Sequence, residues 1–272
     1  IHHVHKWVIN MHLTKAKIIS NEQISTRYCH MKIAITDWRV SDVSPGQFFH
    51  IRTIDDISPL LRRPFSIYRI NEIDNTLEFL YLVKGAGTKK LAERKPNERL
   101  DIFGPLGNTF TIPEMSKGLL LVARGVGIAT LSALAFAAGK KGIPCYAILS
   151  ARTKEDILVE KELNDAGIKT FLVTELDGTS DPANVKVLAE ELIGSKLADS
   201  IYTCGSKRLS ILMKDLAERH NLFAEIALEE NMGCAMGACY ACVCDIQVGN
   251  EIQTIRICQD GPVLPLKKVV LS

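Results

Sequence analysis

The chain is 272 residues long, 47% hydrophobic and 24% charged, with a formal net charge of +2. That length exceeds one small core and predicts two domains plus a small appendage. The near-neutral balance gives no basic field for nucleic acid and no acidic tail, and the longest nearly apolar run (127–139) is too short to span a bilayer.

No stretch reads as a secretory signal with charged, apolar and cleavage regions. A reducing cytoplasm is therefore expected, with neither membrane nor nucleic acid as partner. Clustered cysteines in such a compartment read as metal or cluster ligands before disulfides. Residues 1–10, IHHVHKWVIN, hold three of the seven histidines. They are expected to be a tag or upstream extension ahead of Met11, with metal binding the lesser alternative.

Residues 11–113 carry short β-branched and aromatic runs, among them RYCHMKIAI, GQFFHIRTI and LEFLYLVK, punctuated by Gly, Pro, Asn and Asp. A spacing of about ten residues predicts a small antiparallel barrel or sandwich. Within it, RRPFSIYRI (62–70) places Arg63 before Pro64 and Phe65, with the Ser66 hydroxyl three residues on. A guanidinium fork can pair with phosphate in a bidentate way. A solvated edge strand with surface arginines is the competing reading. LVKGAGT (82–88) ends a strand in a Gly-rich turn with Thr88, where free backbone N–H groups could face an anion.

The rhythm changes near Pro113. Over 114–229, apolar strands alternate with helical patterns. Strands are expected at 118–123, 144–151, 169–175, 200–205 and 223–229, and helices at 129–142, 154–167, 184–194 and 206–220. Such alternation implies a parallel, doubly wound sheet with ligands at the strand C-terminal ends. ARGVGIAT (123–130) joins the first strand to the first helix, with Gly125 and Gly127 permitting a tight turn. It lacks a third glycine at Thr130, and no acidic residue ends the second strand, so a purely structural turn stays open. YTCGS (202–206) is a second strand end, in which Cys204 is either a core thiol or a cofactor-facing one.

The segment 230–272 is the densest in chemistry. Its cysteines run Cys234-x4-Cys239-x2-Cys242-x15-Cys258. The first three match the plant-type 2Fe–2S spacing. Zinc ribbons favour two C-x2-C pairs, and only one is present. Small residues at Gly233, Ala235, Gly237, Ala238 and Ala241 let the backbone wrap closely and aim N–H groups at sulfur. Cys244 is expected to be a buried thiol outside the ligand set.

R-P-F-S, the G-x-G-T turn, GPLGNTF, the G-x-G-I turn and the C-G strand end together resemble the ferredoxin–NADP reductase superfamily. The resemblance implies an α+β multi-domain chain: an FAD-binding β-barrel, a doubly wound α/β NAD(P)-binding domain and a small 2Fe–2S domain. By matching position, Arg63, Pro64, Phe65, Ser66, Leu80, Tyr81, Leu82, Gly87 and Thr88 are expected to hold FAD. Gly125, Gly127, Thr203, Cys204 and Gly205 are expected to meet NAD, with NADP left open by Arg152 and Lys154. The C-terminal ALEENMGCAMGACYACVC…CQDGPV narrows the resemblance to electron-transfer subunits of class 1B dihydroorotate dehydrogenases. The implied partner is an FMN-containing, dihydroorotate-oxidising catalytic subunit, in a heterotetramer of two of each. Electrons would pass from it through 2Fe–2S and FAD to NAD+, in pyrimidine biosynthesis. No acid–base catalytic residue is assigned, because the protein supplies position and electrostatics. Two other readings stay open: a reductase subunit of a hydrogenase or bifurcating flavoenzyme, and a zinc-stabilised nucleotide-binding module.

Overall fold

A computed structural model describes residues 11–53 and 58–271. The extension expected at 1–10 lies outside the described residues.

The N-terminal strands are β1 (His12–Gln23), β2 (Tyr28–Ala34), β3 (Phe48–Ile51), β4 (Arg63–Ser66), β5 (Arg69–Asn71), β6 (Thr76–Leu82) and β7 (Arg99–Leu106). They form one seven-stranded sheet in the order β4-β3-β7-β1-β2-β6-β5, and every pairing is antiparallel. The two edge strands are chain neighbours. Ile67 N–H donates to Gln47 O at 3.3 Å, and Tyr68 N–H donates to Glu78 O at 2.8 Å. The chain steps from one edge to the other within two residues, which curls the sheet into the expected barrel. Period-two alternation turns Ile18, Met31, Ile33, Phe49, Phe79 and Ile102 into its core.

The Gly-rich turn after β6 runs straight into a short helix, α1 (Ala86–Ala92). Thr88 Oγ1 accepts from Lys84 N–H at 3.0 Å and Gly85 N–H at 3.1 Å. That hydroxyl is committed to starting the helix.

The second unit runs β8 (Leu119–Arg124), α2 (Ile128–Lys140), β9 (Cys145–Ala151), α3 (Glu160–Asp165), β10 (Lys169–Thr174), α4 (Pro182–Gly194), β11 (Ser200–Cys204), α5 (Lys207–Arg219) and β12 (Phe223–Ala227). These strands pair in parallel in the order β10-β9-β8-β11-β12. Leu119 to Val122 are wholly buried, as befits a strand covered on both faces. The strand order reverses after β8, so the switch point lies between the C-terminal ends of β8 and β11. The helix expected over 154–167 is broken instead. A 3-10 turn covers Lys154–Asp156, and α3 starts only at Glu160. Leu158 and Val159 turn inward to the core, with Val159 at φ 57°, which no helix tolerates.

The chain then enters β13 (Val243–Val248), β14 (Glu251–Arg256), α6 (Ile257–Asp260) and β15 (Val263–Pro265). β13 and β14 form a separate hairpin. β15 returns to the parallel sheet and pairs antiparallel with β12, aligning Ala227 with Val263. The sequence signals end that sheet at residue 229; the sixth strand comes from beyond the cysteines. The barrel is pinned to the parallel sheet through Thr111, whose N–H donates to buried Glu225 at 2.9 Å and whose carbonyl accepts from Tyr202 Oη at 2.6 Å. No helix among the described residues is long and apolar enough to cross a membrane.

Candidate flavin, nucleotide and cluster sites

A cleft of about 410 Å³ opens where the barrel, the parallel sheet and the cysteine segment meet. Arg63, Pro64, Phe65 and Ser66 enter from β4, Leu80, Tyr81 and Leu82 from β6, and Thr88 from α1. Eight of the nine residues expected to hold FAD thus line one cavity, of a size that suits a cofactor. The ninth, Gly87, sits under Arg63: a Cβ there would lie 3.2 Å from Arg63 Nε. A side chain at 87 would press on the guanidinium, so the bare glycine lets Arg63 lie close over the turn, and a cradle of this kind fits a group held by Arg63. Arg63 Nη1 donates to the carbonyls of Leu61 and Arg62, which fix its fork.

The pleat divides labour among these residues. The Phe65 and Tyr81 rings meet edge-on at 5.6 Å within the barrel core, and Tyr81 Oη donates to Asn21 Oδ1 at 2.8 Å. Leu80 and Leu82 alternate to the opposite face, against the parallel sheet. Tyr81 and Phe65 therefore stiffen the cleft wall from the barrel core and Leu80 and Leu82 close it from the sheet side, while Arg63 and Ser66 line it as half-buried polar groups.

The cleft has a further wall. Leu228, Glu229, Glu230, Asn231 and Met232 line it, with Val126 and Ala129 from the start of α2. Residues 228–232 carry part of the family resemblance in the sequence, but they were given no place in the flavin site there. The available signal was their place, immediately past the C-terminal end of a parallel strand, where open α/β sheets bind ligands. Glu229 is open to solvent along the cleft, yet protein surrounds its carboxyl, and that crowding raises its pKa against the pull of Lys84.

At the switch point, two turns interlock. Gly125 adopts φ 53°, and Gly205 adopts φ 87°. A Cβ on Gly127 would lie 2.7 Å from Cys204 O, and one on Gly205 would lie 2.3 Å from Arg124 O. Both glycines are demanded by backbone meeting backbone. The result is a bare, close-packed shelf at the head of α2, of the kind a dinucleotide approaches. Cys204 is buried in the core shared by α2 and β8, and burial pushes its thiol well above the usual value. Thr203 is fully buried, and its hydroxyl bonds to Ser210 Oγ at 3.3 Å. Its side chain lies behind the sheet, away from the shelf, because the strand pleat alternates there.

The cysteine loop from 231 to 242 has no regular structure. Ala235, Gly237 and Tyr240 take positive φ, and the resulting coil aims N–H groups at sulfur. Met236 and Cys239 N–H each reach Cys234 Sγ at 3.4 Å, Gly237 N–H reaches Cys258 Sγ at 3.2 Å, and Cys258 N–H reaches Cys242 Sγ at 3.4 Å. Cys242 and Cys258 are buried, whereas Cys234 is half-buried and Cys239 exposed. Burial raises the Cys234 thiol pKa, but the N–H donors outweigh that and bring it below its ordinary value. Donors gathered on sulfur suit thiolates that ligate metal. Among the described residues, no three His, Cys, Asp or Glu side chains converge on one ion. Cys234, Cys239, Cys242 and Cys258 would together supply the four thiolates that a 2Fe–2S cluster takes. Cys244 stands apart on β13, half-buried against the α/β core, and its pKa is pushed up to about 11, chiefly by burial.

The comparisons agree with this geometry. Residues 229–270 match the family model described as the iron–sulfur cluster binding domain of dihydroorotate dehydrogenase B. The chain is 33% identical to the dihydroorotate dehydrogenase B (NAD(+)) electron transfer subunit of Streptococcus mutans, over 94% of this chain and 97% of the relative. It is 38% identical to the subunit of the same name from Bacillus mycoides, over 84% and 87%. In fold it is similar to a chain of the NADH-dependent reduced ferredoxin–NADP oxidoreductase, with TM-score 0.77 at 24% identity, covering 94% of this chain and 90% of that one. A ferredoxin–NADP+ reductase from Neisseria gonorrhoeae shares the fold at TM-score 0.59 and 16% identity, covering 75% and 91%. With a relative of one-third identity aligned over nearly its full length, the chain belongs to the family of dihydroorotate dehydrogenase B (NAD(+)) electron transfer subunits.

Proposed function

We propose that this chain is the NAD-linked electron-transfer half of a two-part oxidoreductase that oxidises dihydroorotate in pyrimidine biosynthesis. The other half is an FMN-containing catalytic subunit, two of each forming the complex in a cytoplasmic setting. The observation that carries the reading is the segment 228–232: it walls the cleft that holds Arg63 and Ser66, and it leads directly into the cysteine loop.

Bound together, FAD and a 2Fe–2S cluster supply the exchange between one-electron transfer and hydride transfer that a nicotinamide requires. The chain's residues bind and orient. Arg63 takes a flavin phosphate with its fixed fork, over Gly87 and beside Thr88, and Ser66 offers its hydroxyl to the ring system. Leu80 and Leu82 shield one side of the cleft from water. Gly125, Gly127 and Gly205 present the nicotinamide nucleotide with bare backbone, while Cys204 backs that shelf. Cys234, Cys239, Cys242 and Cys258 ligate the iron. The working units are 11–113 for flavin, 114–229 for nucleotide and 230–272 for the cluster, the last returning β15 to the nucleotide sheet.

The test is Cys234→Ala in the complex purified from its native host. Iron and acid-labile sulfide should fall, and dihydroorotate-driven NAD+ reduction should be lost. Reduction of the bound flavin by NADH should survive. Dihydroorotate-driven reduction at the wild-type rate, or recovery of the wild-type chain with a hydrogenase, refutes the reading.

A further inference from the structure

The shelf beside Gly125 carries charges that bare backbone does not explain. Arg124 closes β8; its Nη1 donates to Ser150 Oγ on β9 at 3.1 Å, and its Nη2 lies 2.8 Å from Glu175 Oε1, just past β10. Arg208, in the first turn of α5, reaches the same carboxylate oxygen at 3.4 Å. Glu175 N–H donates to Ala151 O at 3.1 Å, which sets this residue level with the end of β9. One carboxylate therefore gathers two guanidinium groups across the ends of three adjacent strands.

A dinucleotide site of this architecture carries an acidic residue at the end of its second strand, where it accepts from the adenosine ribose hydroxyls; a 2′-phosphate calls for a cation there. Here the second strand, β9, ends in Ser150 and Ala151, is followed by Arg152, and has no carboxylate. We propose that Glu175, delivered from the neighbouring strand, fills that role and selects NAD(H) over NADP(H). The proposal rests on the nicotinamide site described above.

Two effects act together. The carboxylate meets a ribose hydroxyl favourably and a 2′-phosphate unfavourably. It also occupies Arg124 and Arg208, two forks that would otherwise grip a 2′-phosphate in bidentate fashion. A merely structural role is a poor account of this cluster. Glu175 and Arg208 are 42% and 62% exposed, and ion pairs so open to water contribute little to stability.

Glu175→Gln in the whole chain tests this. Two readouts apply: steady-state reduction of an artificial acceptor by NADH or NADPH, and calorimetric binding of adenosine 5′-diphosphate against adenosine 2′,5′-bisphosphate. Wild type should favour NADH. In the variant, kcat/KM for NADPH relative to NADH should rise about 10- to 100-fold, mainly through KM, and the bisphosphate should tighten against the diphosphate by a similar factor. Adding Arg124→Gln should remove most of that gain. An unchanged NADPH-to-NADH ratio with unchanged bisphosphate affinity overturns the proposal. So does a wild type that favours NADPH. A wild type that binds neither adenosine compound and reacts with neither nucleotide overturns the nicotinamide-site reading itself.

Discussion

The nucleotide shelf and the cysteine loop both depend on glycine, but in opposite ways. At the shelf, a Cβ on Gly127 or Gly205 would strike the backbone of the facing turn. In the loop, a Cβ on Gly237 would meet Gln259 Oε1 at 2.1 Å, the far end of a flexible side chain, and one on Gly233 would lie 3.2 Å from Cys239 Sγ. The first region is locked by its own main chain before any cofactor arrives. The second is shaped by side chains and sulfur, and takes its definition from what the sulfurs hold. A site that binds and releases a nucleotide needs the first kind of rigidity, and one that keeps a resident cluster can use the second.

Three substitutions probe that contrast. The largest effect is expected from Gly205→Ala, where strain at φ 87° adds to a clash with Arg124 O. A loss of about 3 kcal/mol or more in denaturant unfolding is expected, together with loss of nucleotide binding. A loss under about 1 kcal/mol would show that the shelf can yield. Next comes Glu225, which ties the barrel linker to β12, the strand that leads into the cysteine loop. Burial lifts its carboxyl from 4.5 to about 7. The folded state therefore holds a proton that the unfolded state releases, and stability falls as pH rises from about 4.5 to about 7. Glu225→Gln keeps an acceptor for Thr111 N–H without that titration. Its stability should be flatter over the window, and at pH 8 higher than wild type by about 3 kcal/mol. Parallel unfolding curves at pH 5 and 8 check the sign. The smallest effect is expected from Gly237→Ala, about 1 kcal/mol for the left-handed backbone, with Gln259 moving aside. Iron content should persist; its loss would mean the loop is as intolerant as the shelf.

Much of this was legible in the sequence, for local reasons. β-branched runs of period two mark the barrel strands; R-P-F-S makes up a short strand of its own, and G-x-G and C-G sit at strand ends, so their chemistry is written into short spacing. The cysteine spacing needs only the chain itself. What escaped was set by distant partners. β15 is three residues, too short for any pattern, and is a strand only because β12 offers it an open edge. The helix expected at 154–167 breaks because Leu158 and Val159 find a core that periodicity alone could not reveal. Thr203 carries the right position for a nucleotide contact, yet the pleat turns its hydroxyl to Ser210. Glu175 escaped because its role depends on lying level with a strand that precedes it by more than twenty residues.

β15 also gives the cysteine segment a status that chain order conceals. The polypeptide leaves the sheet at Ala227 and rejoins it at Val263, directly alongside. The iron-binding stretch is thus an excursion with both feet on one strand edge. The entropy of closing a loop grows only slowly with its length. Residues can be added to or removed from the β13–β14 hairpin at little cost, and the footing beside the flavin cleft stays where it is. Relatives can lengthen or trim the exposed hairpin without changing how the cysteine segment is moored.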